Sequence, residues 1–356
     1  MHRVKEIVDQ IRYNCNISGS ILCGDYSICT LVLRLRDLYK WEKGLNPWQE
    51  EEPEPLMQWI EEVEEVWDDL MGREFKRIEV MDMSYDPFDC EAINRVLSEY
   101  DLYYGAGLTH SLHPTFFVGV IEERHILFDV PVTVIGEELA RDLFTSPAFC
   151  DGREVVVRRD ASRFFIWDQL MFIKKSQKDA MDLALSFYGV CLKEKERLKD
   201  ILDEIVIGEL PIFMYHEIGS LKDNFFPYPL WKEMIKEFNG TSIELFLRAL
   251  KDVISDISEF GTLSHILREK RVASLAFYVG LLDGLRRRLF HEIVDGFKLF
   301  KREMDWVIIE EAIYRSREKV KRLAGVILDI YLEGRKRGDK EWLTSKMKKI
   351  IIPFER

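Results

Sequence analysis

The chain has 356 residues, with 51 Lys+Arg against 63 Asp+Glu and a formal net charge of −12. It is 47% hydrophobic and 12% aromatic, enough apolar side chain to offset chain entropy, which excludes a disordered chain. The acidic balance disfavours a basic nucleic-acid coat, and the length suggests two or three domains.

The opening MHRVKEIVDQ is charged and amphipathic. It lacks a basic segment followed by an apolar one, so no secretory signal is expected. No apolar run approaches the length of a membrane span. Six cysteines without a CxxC pair fit reduced thiols in a cytoplasmic protein.

Taken in chain order, apolar positions 4, 7, 8 and 11 predict a first helix, and a second runs from about Ile21 to Trp41. Gly44, Asn46 and Pro47 end it. After the acidic stretch 49–55, Trp59, Val63, Val66, Trp67 and Leu70 fall at helical spacing. The period then changes. Strands are expected at 77–80, 116–121, 125–135 and 153–158, with Glu122-Glu123-Arg124 as a hairpin turn. Pro131 suggests that the 125–135 strand is an edge or breaks there. Short helices are expected at about 87–99 and 136–144. From Ala161 onward only helices are expected, among them 161–174, 178–205, 209–220, 242–258, 272–287 and 304–333, with Thr241 or Ser242 as an N-cap. The whole reads as a predominantly helical α+β chain. N-terminal helices (1–75) lead into a small, largely antiparallel sheet unit (76–160), followed by a long C-terminal helical array (161–356). Charge is uneven: residues 1–100 carry 11 Lys+Arg against 22 Asp+Glu, and residues 286–356 carry 19 against 12.

The segment Cys23 to Trp48, together with Pro114-Thr115-Phe116-Phe117 and His216-Glu217-Ile218-Gly219, resembles an uncharacterised family of bacterial proteins of similar length. The resemblance covers most of the chain and implies no activity, cofactor or site.

Three groups of residues carry candidate chemistry. Gly105 to Pro114 is a glycine-containing loop with His110 and His113, and His125 lies nearby in sequence. Clustered imidazoles can bind a divalent metal or act as a base. The second group is the helical set His216, Glu217, Asp252, Asp256 and His265. The two aspartates share one helix face and could hold a divalent metal, with His216-Glu217 adding a ligand. Ser220 stands where a zincin motif needs its second histidine. The third is the Arg- and Trp-rich stretch around Arg34, Arg36 and Trp41, with Trp48, whose residue types suit a partner anchor.

Rossmann, P-loop and GxSxG signatures are absent, as are helix-turn-helix and zinc-finger spacings, so specific nucleic-acid reading is not expected. The sequence therefore supports two readings. One is an accessory protein that binds a protein partner or a second copy of itself. The other is a metal-assisted enzyme acting on a small molecule, with its site between the sheet and the helical array.

Overall fold

A computed structural model describes residues 2–80, 83–109 and 112–355, and only the backbone at His2, Asp25, Tyr228 and Glu355. It is a predominantly helical α+β structure that divides into two compact units, residues 1–171 and 172–356. The front helices share the first unit with the sheet. Among the described residues, no helix is long and apolar enough to cross a membrane.

The first unit runs α1 (His2–Leu22), α2 (Ile28–Glu42), α3 (Pro53–Leu70), β1 (Ile78–Val80), β2 (Met83–Tyr85), α4 (Cys90–Leu97), β3 (Leu102–Leu108), β4 (Pro114–Leu127), β5 (Val130–Arg141), β6 (Ala148–Cys150), β7 (Val155–Arg158) and α5 (Arg159–Met171). The larger sheet has the order β3-β4-β5-β7-β6, antiparallel except for the β5–β7 pair. Strand alternation sorts its aromatics. Tyr104 and Phe116 join the core beneath α1 and α4 with Ile11, Ile93 and Leu97, while Tyr103 and Phe117 face the opposite core with Ile135 and Val156.

Several expectations are corrected here. The glycines expected in a loop lie within β3, where Gly105 sits against the ring of Phe117 and Gly107 against that of Phe149. They make room for aromatic rings. The 122–124 run is strand, and the hairpin turns at Phe128-Asp129, whose φ values are 51° and 61°. Pairing with β3 stops at Val120, so the charged run lies on an unpaired edge, where charge discourages strand addition. Pro131 lies in an inner strand, since β5 bonds to both neighbours; it pairs with Ile126 of β4 and precedes the first β7 contact at Val132. The helix expected at 136–144 is mostly the continuation of β5.

The second unit runs α6 (Lys178–Ser186), α7 (Lys195–Lys222), α8 (Tyr228–Glu237), α9 (Ser242–Ile257), α10 (Thr262–Glu269), α11 (Val272–Leu281), α12 (Gly284–Leu289), α13 (His291–Glu303), α14 (Trp306–Arg337) and α15 (Lys340–Glu355). The expected 178–205 helix is two, because the chain turns at Gly189, φ 73°. The expected break before 209 is absent, and α7 continues through Pro211. Proline disturbs the hydrogen bonding of the preceding turn. Around it, Arg271 donates to the Gly208 carbonyl at 2.9 Å, and Thr262 Oγ1 donates to the Ile212 carbonyl at 2.8 Å. Thr241 caps α9, its hydroxyl accepting from the Glu244 amide at 3.4 Å.

The α7–α9 crossing is unusually close at Gly219. A Cβ there would lie 2.3 Å from the Ser255 carbonyl oxygen and 3.0 Å from Gly261 Cα. Only a residue without a side chain lets the two backbones meet there.

Candidate functional site

Four turns of helix around that crossing carry the second predicted group apart from His265, which lies on α10. His216 precedes Gly219 by about one turn on α7, and Asp252 and Asp256 lie one turn apart on α9. The structure brings the three together. His216 Nδ1 is 2.7 Å from Asp256 Oδ1, and His216 Nε2 is 3.8 Å from Asp252 Oδ1. Two residues that the sequence reading missed complete the network. Tyr278 donates its hydroxyl to Asp256 Oδ2 at 2.7 Å, and Arg286 donates to the same oxygen at 2.9 Å. They come from α11 and α12, 22 and 30 residues beyond Asp256, so no local spacing could signal them.

Asp256 is 1% exposed. Burial alone would raise its pKa, but the charges of His216 and Arg286 and its hydrogen bonds hold it below the usual carboxylate range. Burial alone would lower the His216 pKa; the Asp256 carboxylate and its hydrogen bond, helped by Asp252 and Glu217, outweigh that and raise it to about 9. The imidazole is therefore charged at neutral pH and acts as a cation rather than a base. Neighbouring Glu217 is pushed up, chiefly by burial. The arrangement is an ion-pair network that ties α7, α9, α11 and α12 together.

The first predicted group is dispersed. His110 lies outside the described residues. His113 is half-buried, and its carbonyl accepts from the Thr109 amide at 2.7 Å. His125 is exposed, 2.8 Å from Glu123 Oε2. His113 belongs to the first unit, and His216 and Glu217 to the second. Among the described residues, no group of three or more His, Cys, Asp or Glu side chains is placed to hold a metal ion.

The third group forms a half-buried network within the first unit. Arg34 lies 3.7 Å from both Asp37 and Asp168. Burial and the adjacent Asp37 charge raise the Asp168 pKa to about 7, and burial raises that of Asp37. Trp41 stacks on the Arg141 guanidinium at 4.7 Å, and Trp48 meets Trp167 at 5.4 Å. Arg36 is half-buried. Beside this network, the outer face of α2 exposes Ile28 (81%), Val32 and Leu33, with Cys29 between them. The buried thiols behave as small apolar groups: Cys15 donates to the Phe116 carbonyl at 3.3 Å, and burial pushes the Cys90 thiol up to about 12.

A fourth feature was not anticipated. Past the crossing, the ends of α7 and α9 and the middle of α14 enclose a cleft of about 600 Å³, within the size range of small-molecule sites. Phe225, Ile254, Ile257, Phe260, Val320 and Leu328 make it largely apolar. Its polar contributors are Lys222, Asp223, Asn224, Ser258, Glu259, Arg317 and Lys321. Asp223 Oδ2 and Ser258 Oγ are shielded from solvent and have no hydrogen-bond partner among the described residues. Asp223 Oδ1 accepts from the Phe225 amide at 3.2 Å, which fixes the carboxylate in place. Gly325, inside α14, also lines the cleft, and a Cβ there would meet nothing within 4 Å.

Two family models match the chain. The N-terminal domain of a family of unknown function, DUF6866, matches residues 6–158, and its C-terminal domain matches residues 163–349. No curated protein and no solved structure matches significantly.

The ion-pair network gives a pH prediction. The folded-state pKa of His216, about 9, lies above the unperturbed value of 6.5. Its contribution to stability, at most about 3 kcal/mol, is complete below about pH 6.5 and is lost as pH rises through about 9. Proton NMR of the His216 ring should show a midpoint near 9 that drops by at least one unit in Asp256→Asn; a wild-type midpoint near 6.5 would refute the network.

Proposed function

We propose that this chain, which belongs to the DUF6866 family of unknown function in both of its domains, is a binding protein whose C-terminal domain takes a small molecule in the cleft between α7, α9 and α14. The observation that carries this reading is the pair of shielded, unpartnered oxygens, Asp223 Oδ2 and Ser258 Oγ, in a cleft whose exposed lining is mostly apolar. A buried polar atom left unpaired costs about 1–3 kcal/mol, so a group that bonds to both recovers that cost. Water can supply such bonds, but it cannot also cover the surrounding apolar surface.

Gly325 supports the same reading. Glycine inside a helix costs roughly 0.5–1 kcal/mol relative to alanine. No neighbouring atom occupies the space where its side chain would stand, and its φ is not positive. Packing therefore does not explain the residue, and the glycine leaves that part of the cleft wall free of side-chain atoms. A metal-assisted enzyme has less to rest on: the charged groups at His216 are engaged with one another.

A second reading, docking of a partner, is favoured by the exposed stripe Ile28, Cys29, Val32 and Leu33 on α2. The suggested occupant is a second copy of the chain, because the first unit carries both the basic flank at Arg34 and Arg36 and the acidic run Glu61, Glu62, Glu64 and Glu65 on α3. Light scattering should then give a dimer for the wild type and a monomer for Ile28→Glu/Val32→Glu; a wild-type monomer at high micromolar concentration would remove this reading.

The cleft is tested with the neutral fluorophore N-phenyl-1-naphthylamine. Fluorescence titration should show saturable binding that Gly325→Ala keeps and Gly325→Trp loses, with both variants folded by circular dichroism. Equal binding by Gly325→Trp and the wild type would contradict a ligand site in the cleft.

A further inference from the structure

The rim of the cleft has its own chemistry. Lys222 Nζ sits 5.9 Å from the Phe260 ring centroid, and Lys321 Nζ sits 5.7 Å from that of Phe225. Arg317 donates to the carbonyl of Ile257, the last residue of α9, which holds its guanidinium at the cleft wall. Each of these cations lies within the cleft lining, and none forms an ion pair with a carboxylate among the described residues. Elsewhere in the same unit, exposed Lys and Arg side chains repeatedly do so, as at Lys298–Asp295, Arg315–Glu311 and Lys340–Glu237.

We infer that the cleft takes a small amphipathic anion, with an apolar or aromatic body between Phe225 and Phe260 and a carboxylate or phosphate at Lys222, Arg317 and Lys321. This rests on the reading of the cleft as a ligand site. The aromatic rings are contacted by the two lysines on their faces, so a body placed against them lies beside the cations. A charge-assisted hydrogen bond to the guanidinium or ammonium groups would then fix its head. A hydroxyl or amide on the ligand can donate to Asp223 Oδ2 and exchange a hydrogen bond with Ser258 Oγ.

The rival occupant is a cationic amphiphile held by the two acids of the lining, Asp223 and Glu259. Three cations outnumber them. Burial raises the Asp223 pKa, which weakens its claim on a cation, and Glu259 is exposed to solvent. An ammonium head in the cleft would meet more like charge than opposite charge in the lining.

The test displaces N-phenyl-1-naphthylamine from the full chain at neutral pH with decanoate, 1-decanol or decylamine, all below their micelle-forming concentrations. Decanoate should compete at a concentration at least tenfold lower than decylamine. Lys222→Glu and Lys321→Glu should each weaken decanoate about tenfold more than they weaken the neutral competitor 1-decanol. If decylamine competes as well as decanoate, or if the lysine variants leave decanoate unchanged, the anion assignment falls even though the cleft still binds. Co-sedimentation with phosphatidylglycerol vesicles without competition by free decanoate would overturn it as well, by placing the anion on a membrane surface. Failure of the fluorophore to bind at all would instead remove the ligand site itself.

Discussion

The second unit depends on one close approach, the meeting of α7 and α9 at Gly219. The Ser255 carbonyl leaves no space for a side chain there, so the two helices lie as near as their backbones allow. On one side of the contact, His216 reaches Asp252 and Asp256. On the other, the same two helices end at Lys222 and Ile257 and open into the cleft through Asp223 and Ser258. A single small residue therefore sets the spacing for both the ion-pair network and the candidate binding site.

The two sides handle buried polarity differently. Asp256 is almost fully buried, and its two oxygens are bonded by His216, Tyr278 and Arg286. With both Asp256 oxygens bonded, the network favours one arrangement of helices, because removing His216 or Arg286 leaves the buried carboxylate short of a compensating charge. Arg286 Nε makes no hydrogen bond among the described residues and lies 4.0 Å from Asp252 Oδ2. Asp223 and Ser258 keep one unpaired atom each, and the nearby cations stay free of carboxylates. The network is closed to further chemistry while the cleft is open to it, which is why the candidate function lies with the cleft rather than with the histidine.

Much of the fold was legible in the sequence. Apolar spacing marked the front helices, short apolar runs marked β4 and β7, and the Asn239-Gly240-Thr241 signal placed the start of α9. Where local reading failed, tertiary context had overridden it. A break was expected between 205 and 209, but α7 runs unbroken through Gly208 and Pro211. Glu122-Glu123-Arg124 looked like a turn because charged residues also suit an exposed strand edge. Gly105 and Gly107 looked like a ligand loop, yet their task is to admit Phe117 and Phe149. Of the site residues, Asp252 and Asp256 could be grouped by helix-face arithmetic and His216 joined to them by its chemistry alone, whereas Tyr278 and Arg286 gave no signal. The cleft was invisible for a further reason. Its lining comes from three helix segments up to about a hundred residues apart, and its most telling member, Gly325, is marked only by an unexplained glycine within a helical run.

The central claim is that the Gly219 crossing sets both features, and Gly219→Ala tests it directly. Crowding at such a site costs typically 1–3 kcal/mol, so the variant should remain measurable below its lowered melting temperature. Under those conditions the His216 ring titration and binding of the neutral fluorophore are followed on the same folded sample. Forcing the helices apart should lower the His216 midpoint from about 9 and weaken fluorophore binding together. A folded Gly219→Ala protein in which both readouts match the wild type would contradict the account.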